Sequence, residues 1–296
     1  MTSITSVGQF IDIILNRTSA SEVVTTYRGH GFVEYGLEPS IFRTQLTRRN
    51  EHILLRELIA AHPEDFHGDT SALEILVRMQ HYTLPTRLLD VSLNPLVALY
   101  FACEIVKKRV PVRVNGKPVA RTREMDGHVI TLQVDRARMR YFDSDTVSCL
   151  TNLARLSWDY KSKIKTSEAL VAFNETTPIK RLLHFIRQDK NGFLSEIEPS
   201  DLDGVFLVKP KQNNKRILAQ AGAFFVFGLT EEIHDDNPDG ITVDRLIVEA
   251  DAKRPILAEL DKLGINEKTM FPEIDRAARY ITGSLSTGDA ASKLLS

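Results

Sequence analysis

Residues 96–109 read LVALYFACEIVKKR, and the opening part of this run is apolar on nearly every face. A helix of that kind has no side to show to water, so the chain must pack other elements around it. Asn94 and Pro95 directly before it suit an N-cap and first helical position. Lys107, Lys108 and Arg109 then fall at the expected C-terminal end, where the helix dipole favours cations. The run just upstream, His81 to Asn94, has the opposite character. It places His, Tyr, Thr, Arg, Asp, Ser and Asn between two apolar helices. Polar groups in such a position must be satisfied internally or by a ligand.

The chain can supply the core that this helix needs. Of its 296 residues 43% are hydrophobic and 26% charged. The net charge of −1 gives no global basic field for nucleic acid. Two cysteines, Cys103 and Cys149, make no disulfide framework and suit a reducing, cytoplasmic setting. The first residues lack the basic and apolar segments of a signal peptide, and no apolar run is long enough for a membrane span.

Helices are expected over 6–16, 51–62 (ended by Pro63), 71–81 (Ser71 and Glu74 at capping-box spacing), 95–109, about 147–157 and about 178–188. Strands are expected over 21–28, 86–91, 128–135, 204–210, 223–229 and 244–250, with two short helices around Gly264. Residues 110–127 read as a basic exposed loop or hairpin. Strands and helices do not alternate strictly, which points to an α+β fold rather than a doubly wound one. The expected organisation is an N-terminal helix within 1–20, a single domain over 21–282 and a frayed tail over 283–296.

Three clusters can carry chemistry. Arg28 closes a β-rich run beside Gly29-His30-Gly31, where an arginine can grip a phosphate bidentately. Its plain alternative is a structural salt bridge. In the 81–94 run, Arg87 and Asp90 can pair with each other, while Ser92 and Asn94 suit turn and capping roles. In the third cluster Gln220 and Gly222 lead into a strand. No Cys/His spacing suggests a metal, and neither a nucleophile elbow nor a P-loop is present.

Tyr27-Arg28-Gly29 resembles the aromatic-Arg-Gly signature of the FRG family. Gln80-His81-Tyr82, Pro85 to Asp90 and Asn94 to Ala102 resemble its central motif. Arg216-Ile217 with Gln220, Gly222 and Phe224 resembles its third, and Leu263-Gly264-Ile265 with Phe271 to Asp275 its closing segment. The resemblance covers about residues 20–282. FRG domains are distantly similar to the ADP-ribosyltransferase superfamily. This implies a mixed or split β-sheet core flanked by helices, with NAD as substrate. Arg28 would grip NAD, Ser92 or Thr86 would support the site, and Gln220 or Glu249 would supply the late residue. Tyr27, Gly29, His81, Tyr82, Thr86, Arg87, Asp90 and Asn94 would line the NAD site, with Tyr27 or Tyr82 stacking on nicotinamide. The resemblance further implies a toxin–antitoxin or phage-defence setting, with a protein, RNA or DNA acceptor and an antitoxin or defence partner. A non-catalytic nucleotide- or partner-binding module is the second expectation. A nucleic-acid effector using Lys107 to Arg123 is the third.

Overall fold

The computed structural model describes residues 2–17, 22–114, 117–194, 196–212, 214–235 and 240–273. The expected tail, 283–296, lies outside them, as does the end of the expected domain from 274.

The architecture is α+β, with a large mixed sheet flanked by helices. Among the described residues the strands are β1 (Ser3–Ile4), β2 (Val23–His30), β3 (Leu88–Ser92), β4 (Lys107–Val114), β5 (Lys117–Glu124), β6 (Gly127–Asp135), β7 (Met139–Tyr141), β8 (Val205–Lys209), β9 (Gly222–Phe227) and β10 (Ile241–Val248). Eight form one sheet in the order β1-β10-β6-β2-β3-β9-β8-β7, and β4 and β5 form a separate hairpin. The edge pairs β1–β10 and β7–β8 are parallel and the rest antiparallel.

The centre of the sheet decides where a site can form. β2 pairs with β6 along its full length, from Val23↔Asp135 to His30↔His128. β3 pairs with β9 from Leu88↔Val226 to Ser92↔Gly222. Between β2 and β3 there is one pair only, Tyr27↔Ser92. The sheet is therefore two ladders pinned at one point, and the strands part on leaving it.

Both ladders share an apolar cluster on one face, with Ile130, Leu132 and Val134 of β6 beside Leu89, Val91, Phe225 and Phe227. On the opposite face of the β10-β6-β2 ladder lie α1 (Val7–Leu15), α4 (Pro95–Ala102) and α8 (Lys253–Lys262), joined in a second cluster. Against the β3-β9-β8 ladder lie α2 (Glu51–Ala61), α3 (Ala72–His81), α5 (Asp145–Asn152) and α6 (Thr177–Asp189). The caps follow the sequence. Ser71 accepts from the Glu74 amide, and Asn94 from the Leu96 amide at 3.0 Å.

The apolar helix is buried as its composition requires, but it stops at Ala102 rather than 109. Lys107, Lys108 and Arg109 are strand residues of β4, not helix-terminal charges. Val110, Val112 and Val114 favour extended backbone, and Pro111 bars a continuing helix. Among the described residues no helix is long and apolar enough to cross a membrane.

α4 sits directly on β2, and this explains Gly29. A Cβ there would lie 1.9 Å from the Ala98 carbonyl oxygen and 2.5 Å from the Ala102 amide nitrogen. Gly29→Ala must push α4 off the sheet. We expect a loss of about 3 kcal/mol, read as a lower midpoint in urea. An unchanged midpoint would rule out this close approach.

Candidate functional site

Where β2 and β3 part, a cavity of about 270 Å³ opens. β2 contributes Tyr27, Arg28, Gly29 and His30; β3 contributes Asp90, Val91 and Ser92. α4 supplies Ala98 and Phe101. Arg216 comes from a short helix, α7 (Lys215–Ala219), and Gln220 caps it. Tyr35, Arg43 and Glu104 complete the rim. A smaller cavity adjoins it through Asp90, Val91, Arg216 and Gln220, and reaches Gln80 and His81.

Arg28 ties the two ladders together. Its Nε donates to His30 Nε2 at 2.7 Å and its Nη1 donates to the Asp90 carbonyl oxygen. Its Nη2 has no acceptor among the described residues, so that end of the fork faces the cavity. Burial lowers the guanidinium to about 10, with Asp90 opposing the shift and Arg43 adding to it, so it stays charged at neutral pH.

His30 was not among the residues expected from sequence, because His-Gly after an arginine reads as a turn. It is instead the last residue of β2, on the same face as Arg28. Accepting at Nε2 leaves its proton on Nδ1, which donates to His128 Nε2 at 3.0 Å. Arg245 Nη1 lies 3.4 Å from the same His128 nitrogen and its guanidinium forks onto Asp235. A hydrogen-bonded row thus runs from the cavity to the rim of the sheet and holds Arg28 in place. Burial, then Arg28 and His128, push His30 down to about 2. Burial, then Arg245, push His128 down to about 4.

Both folded values lie below the ordinary 6.5, so the unfolded chain binds more protons as pH falls. The stability that these rings contribute is complete above pH 6.5 and is lost as pH drops below it. Each costs about 1.4 kcal/mol per pH unit, or about 4 kcal/mol for the pair at pH 5. Urea midpoints at pH 7.5 and pH 5 measure this, and equal stabilities would contradict the buried neutral pair.

The 81–94 run is divided by the fold. Asp90 is exposed, and its carboxylate has no hydrogen bond or ion pair among the described residues, although it lines both cavities. Ser92 Oγ donates to the Gln220 carbonyl at 2.7 Å and accepts the Asn94 amide at 2.9 Å, which fixes α7 against β3. Gln220 Nε2 donates to the Met270 carbonyl at 3.0 Å. His81 lines the smaller cavity, with Nε2 at 3.3 Å from Glu273 Oε1. Asn94 caps α4 and lines neither cavity. Tyr82, 55% exposed, also lines neither; it stands edge-on to His81.

Three further expected contributors lie elsewhere. Thr86 is buried, donating to Gln80 Oε1 and accepting the Leu88 amide. Arg87 is fully buried and turned away from the cleft. Its Nε and Nη2 fork onto Glu51 at 2.8 and 2.6 Å, and its Nη1 donates to the Phe227 and Gly228 carbonyls at 2.9 Å. The expected Arg87–Asp90 pair does not form, since an odd separation along extended chain puts the two on opposite faces. Burial works against the Glu51 carboxylate, but Arg87 and Lys161 hold it down to about 2. Glu249 is exposed at the end of β10, where it accepts from Ser3 Oγ. β6 separates β10 from β2, so Glu249 does not line the cleft.

No curated protein and no solved structure matches the chain. The FRG domain family matches residues 24–110, the span that holds Tyr27-Arg28-Gly29, the 81–94 run and the buried helix. The residues that converge on the cleft from β2, β3 and α4 all fall inside that match, so over residues 24–110 the chain is similar to FRG domains.

Proposed function

We propose that the cleft binds NAD and supports cleavage of its nicotinamide–ribose bond, with ADP-ribose passed to a macromolecular acceptor. The observation that carries this reading is Arg28, held by His30 and with an Nη2 that has no acceptor among the described residues, in a cavity that Asp90 also lines. Arg28 takes the diphosphate through its open guanidinium edge. Tyr27 and Phe101 offer aromatic faces to nicotinamide. Nicotinamide leaves with the bond's electron pair, and Asp90 stabilises the positive charge that develops on the ribose. The acceptor's nucleophile then bonds to that carbon and gives up its proton to solvent. Ser92 acts as a positioning residue, since its hydroxyl holds Gln220. A cytoplasmic toxin or phage-defence effector, restrained by an antitoxin or defence partner, suits such chemistry.

One observation favours a second reading. Glu249 stands outside the cleft, so the late glutamate expected from sequence does not line it; the pocket would then bind a nucleotide without turning it over. Chromatographic assay of nicotinamide, alongside thermal melts with NAD, separates the two. The first reading expects release by the wild type and an Asp90→Asn rate about 100-fold lower, with NAD still raising the Tm. Stabilisation by NAD without release selects the second reading. Neither stabilisation nor release rules out both.

A further inference from the structure

The β4–β5 hairpin carries seven Lys and Arg against one Glu, within a chain whose net charge is −1. Positive charge is therefore concentrated on one two-stranded ribbon. The register orders it further. Lys108 pairs with Arg123 and Val110 with Arg121, and cross-strand partners share a face. Lys108, Arg121 and Arg123 thus form a basic row on one face, with Arg121 and Arg123 about 7 Å apart along the strand. Arg121 and Arg123 have no acidic partner among the described residues. The other face is partly neutralised, since Glu124 takes both Arg254 and Lys107.

The basic face is the one turned toward the cleft. Lys108 Nζ lies 3.7 Å from the centre of the Phe32 ring and 5.8 Å from that of Tyr35. Tyr35 lines the cavity, is 44% exposed, and is braced edge-on by Phe32 and His30. The root of the hairpin is fixed to the same wall. Lys253 Nζ donates to the Gly31 and Glu104 carbonyls at 2.7 and 2.9 Å, and the Val33 amide donates to the Asp126 carbonyl at 3.0 Å.

A row of cations leading to a rigid exposed ring is the arrangement that holds single-stranded nucleic acid, with phosphates on the cations and a base on the ring. We propose that single-stranded nucleic acid lies along the Lys108–Arg121–Arg123 face and stacks a base on Tyr35 at the cleft mouth. If the cleft transfers ADP-ribose, as proposed above, this strand is its acceptor. An unpaired strand is required because a nucleotide inside a duplex cannot reach the cavity.

The test is fluorescence anisotropy with labelled 20-nucleotide RNA and DNA single strands, a matched duplex and a poly-glutamate peptide, from 50 to 200 mM salt. It needs no NAD, so its failure is separate from failure of nicotinamide release. The wild type should bind a single strand more tightly than the duplex or the peptide; the RNA and DNA arms identify the sugar. Arg121→Ala/Arg123→Ala should weaken binding about tenfold at 100 mM salt and flatten the log–log salt slope by about 1.4, for two lost phosphate contacts. Arg109→Ala, on the opposite face, should change binding much less. The three charged residues are exposed, and unchanged Tm values verify the fold. The proposal is overturned by absent single-strand binding, by equal affinity for the peptide or duplex, or by a double variant that binds as the wild type does.

Discussion

Glu51→Ala is expected to cost the fold about 3–5 kcal/mol, although it removes one carboxylate far from the cleft. Glu51 is 3% exposed and is the shared partner of two buried cations, Arg87 at 0% exposure and Lys161 at 7%. Deleting it leaves both without a counter-charge in the interior. Lys161→Met is expected to cost much less, about 1 kcal/mol, because the Arg87–Glu51 fork survives it. The asymmetry is the signature of the arrangement, and urea denaturation of the two variants reads it. Equal and small losses would mean that Arg87 is solvated after all. The loss also affects the site, since Arg87 binds the carbonyls at the end of β9 to the start of β3. Glu51 also sets a pH limit. Its folded value near 2 lies below the usual 4.5, so its contribution is complete above pH 4.5 and is lost as pH falls from 4.5 toward 2. That window lies below the one set by His30 and His128.

The elements were legible where local chemistry is strong. β-Branched and aromatic runs marked β2, β6, β8, β9 and β10, and Ser71 and Asn94 marked helix starts that the structure caps as expected. Three walls of the cleft were legible too, because Arg28, the 81–94 run and Gln220 are polar groups set among apolar elements. Other features depend on register and distance, which composition does not carry. Arg87 and Asp90 look alike in sequence, yet strand parity sends one into the core and the other to the cleft. Arg87 and Glu51 lie 36 residues apart, and Lys161 and Glu51 lie 110 apart. Glu249 sits at the end of a correctly expected strand, but the sheet order places that strand beyond β6, roughly 10 Å from β2. His30 was hidden by the glycines around it. The stop at Ala102 was masked by cations that suit a helix end as well as a hairpin.

Arg28→Ala is expected to lower nicotinamide release by 10²–10³-fold or more, the usual cost of losing one preorganised charged donor. Arg28 does two things that alanine cannot. It presents a free Nη2 to the cavity, and it bridges the parting strands from His30 to the Asp90 carbonyl. Lysine should not replace it, since one ammonium cannot hold both strand contacts and still meet the ligand with a planar fork. His30→Ala is expected to give a partial loss, because the guanidinium would keep its charge and lose its orientation. The most direct measurement is therefore nicotinamide release from NAD by the wild type and by Arg28→Ala at matched concentration, with Tm values confirming that both are folded. The wild type is expected to release nicotinamide and the variant none above background. Release by Arg28→Ala at the wild-type rate would contradict that expectation.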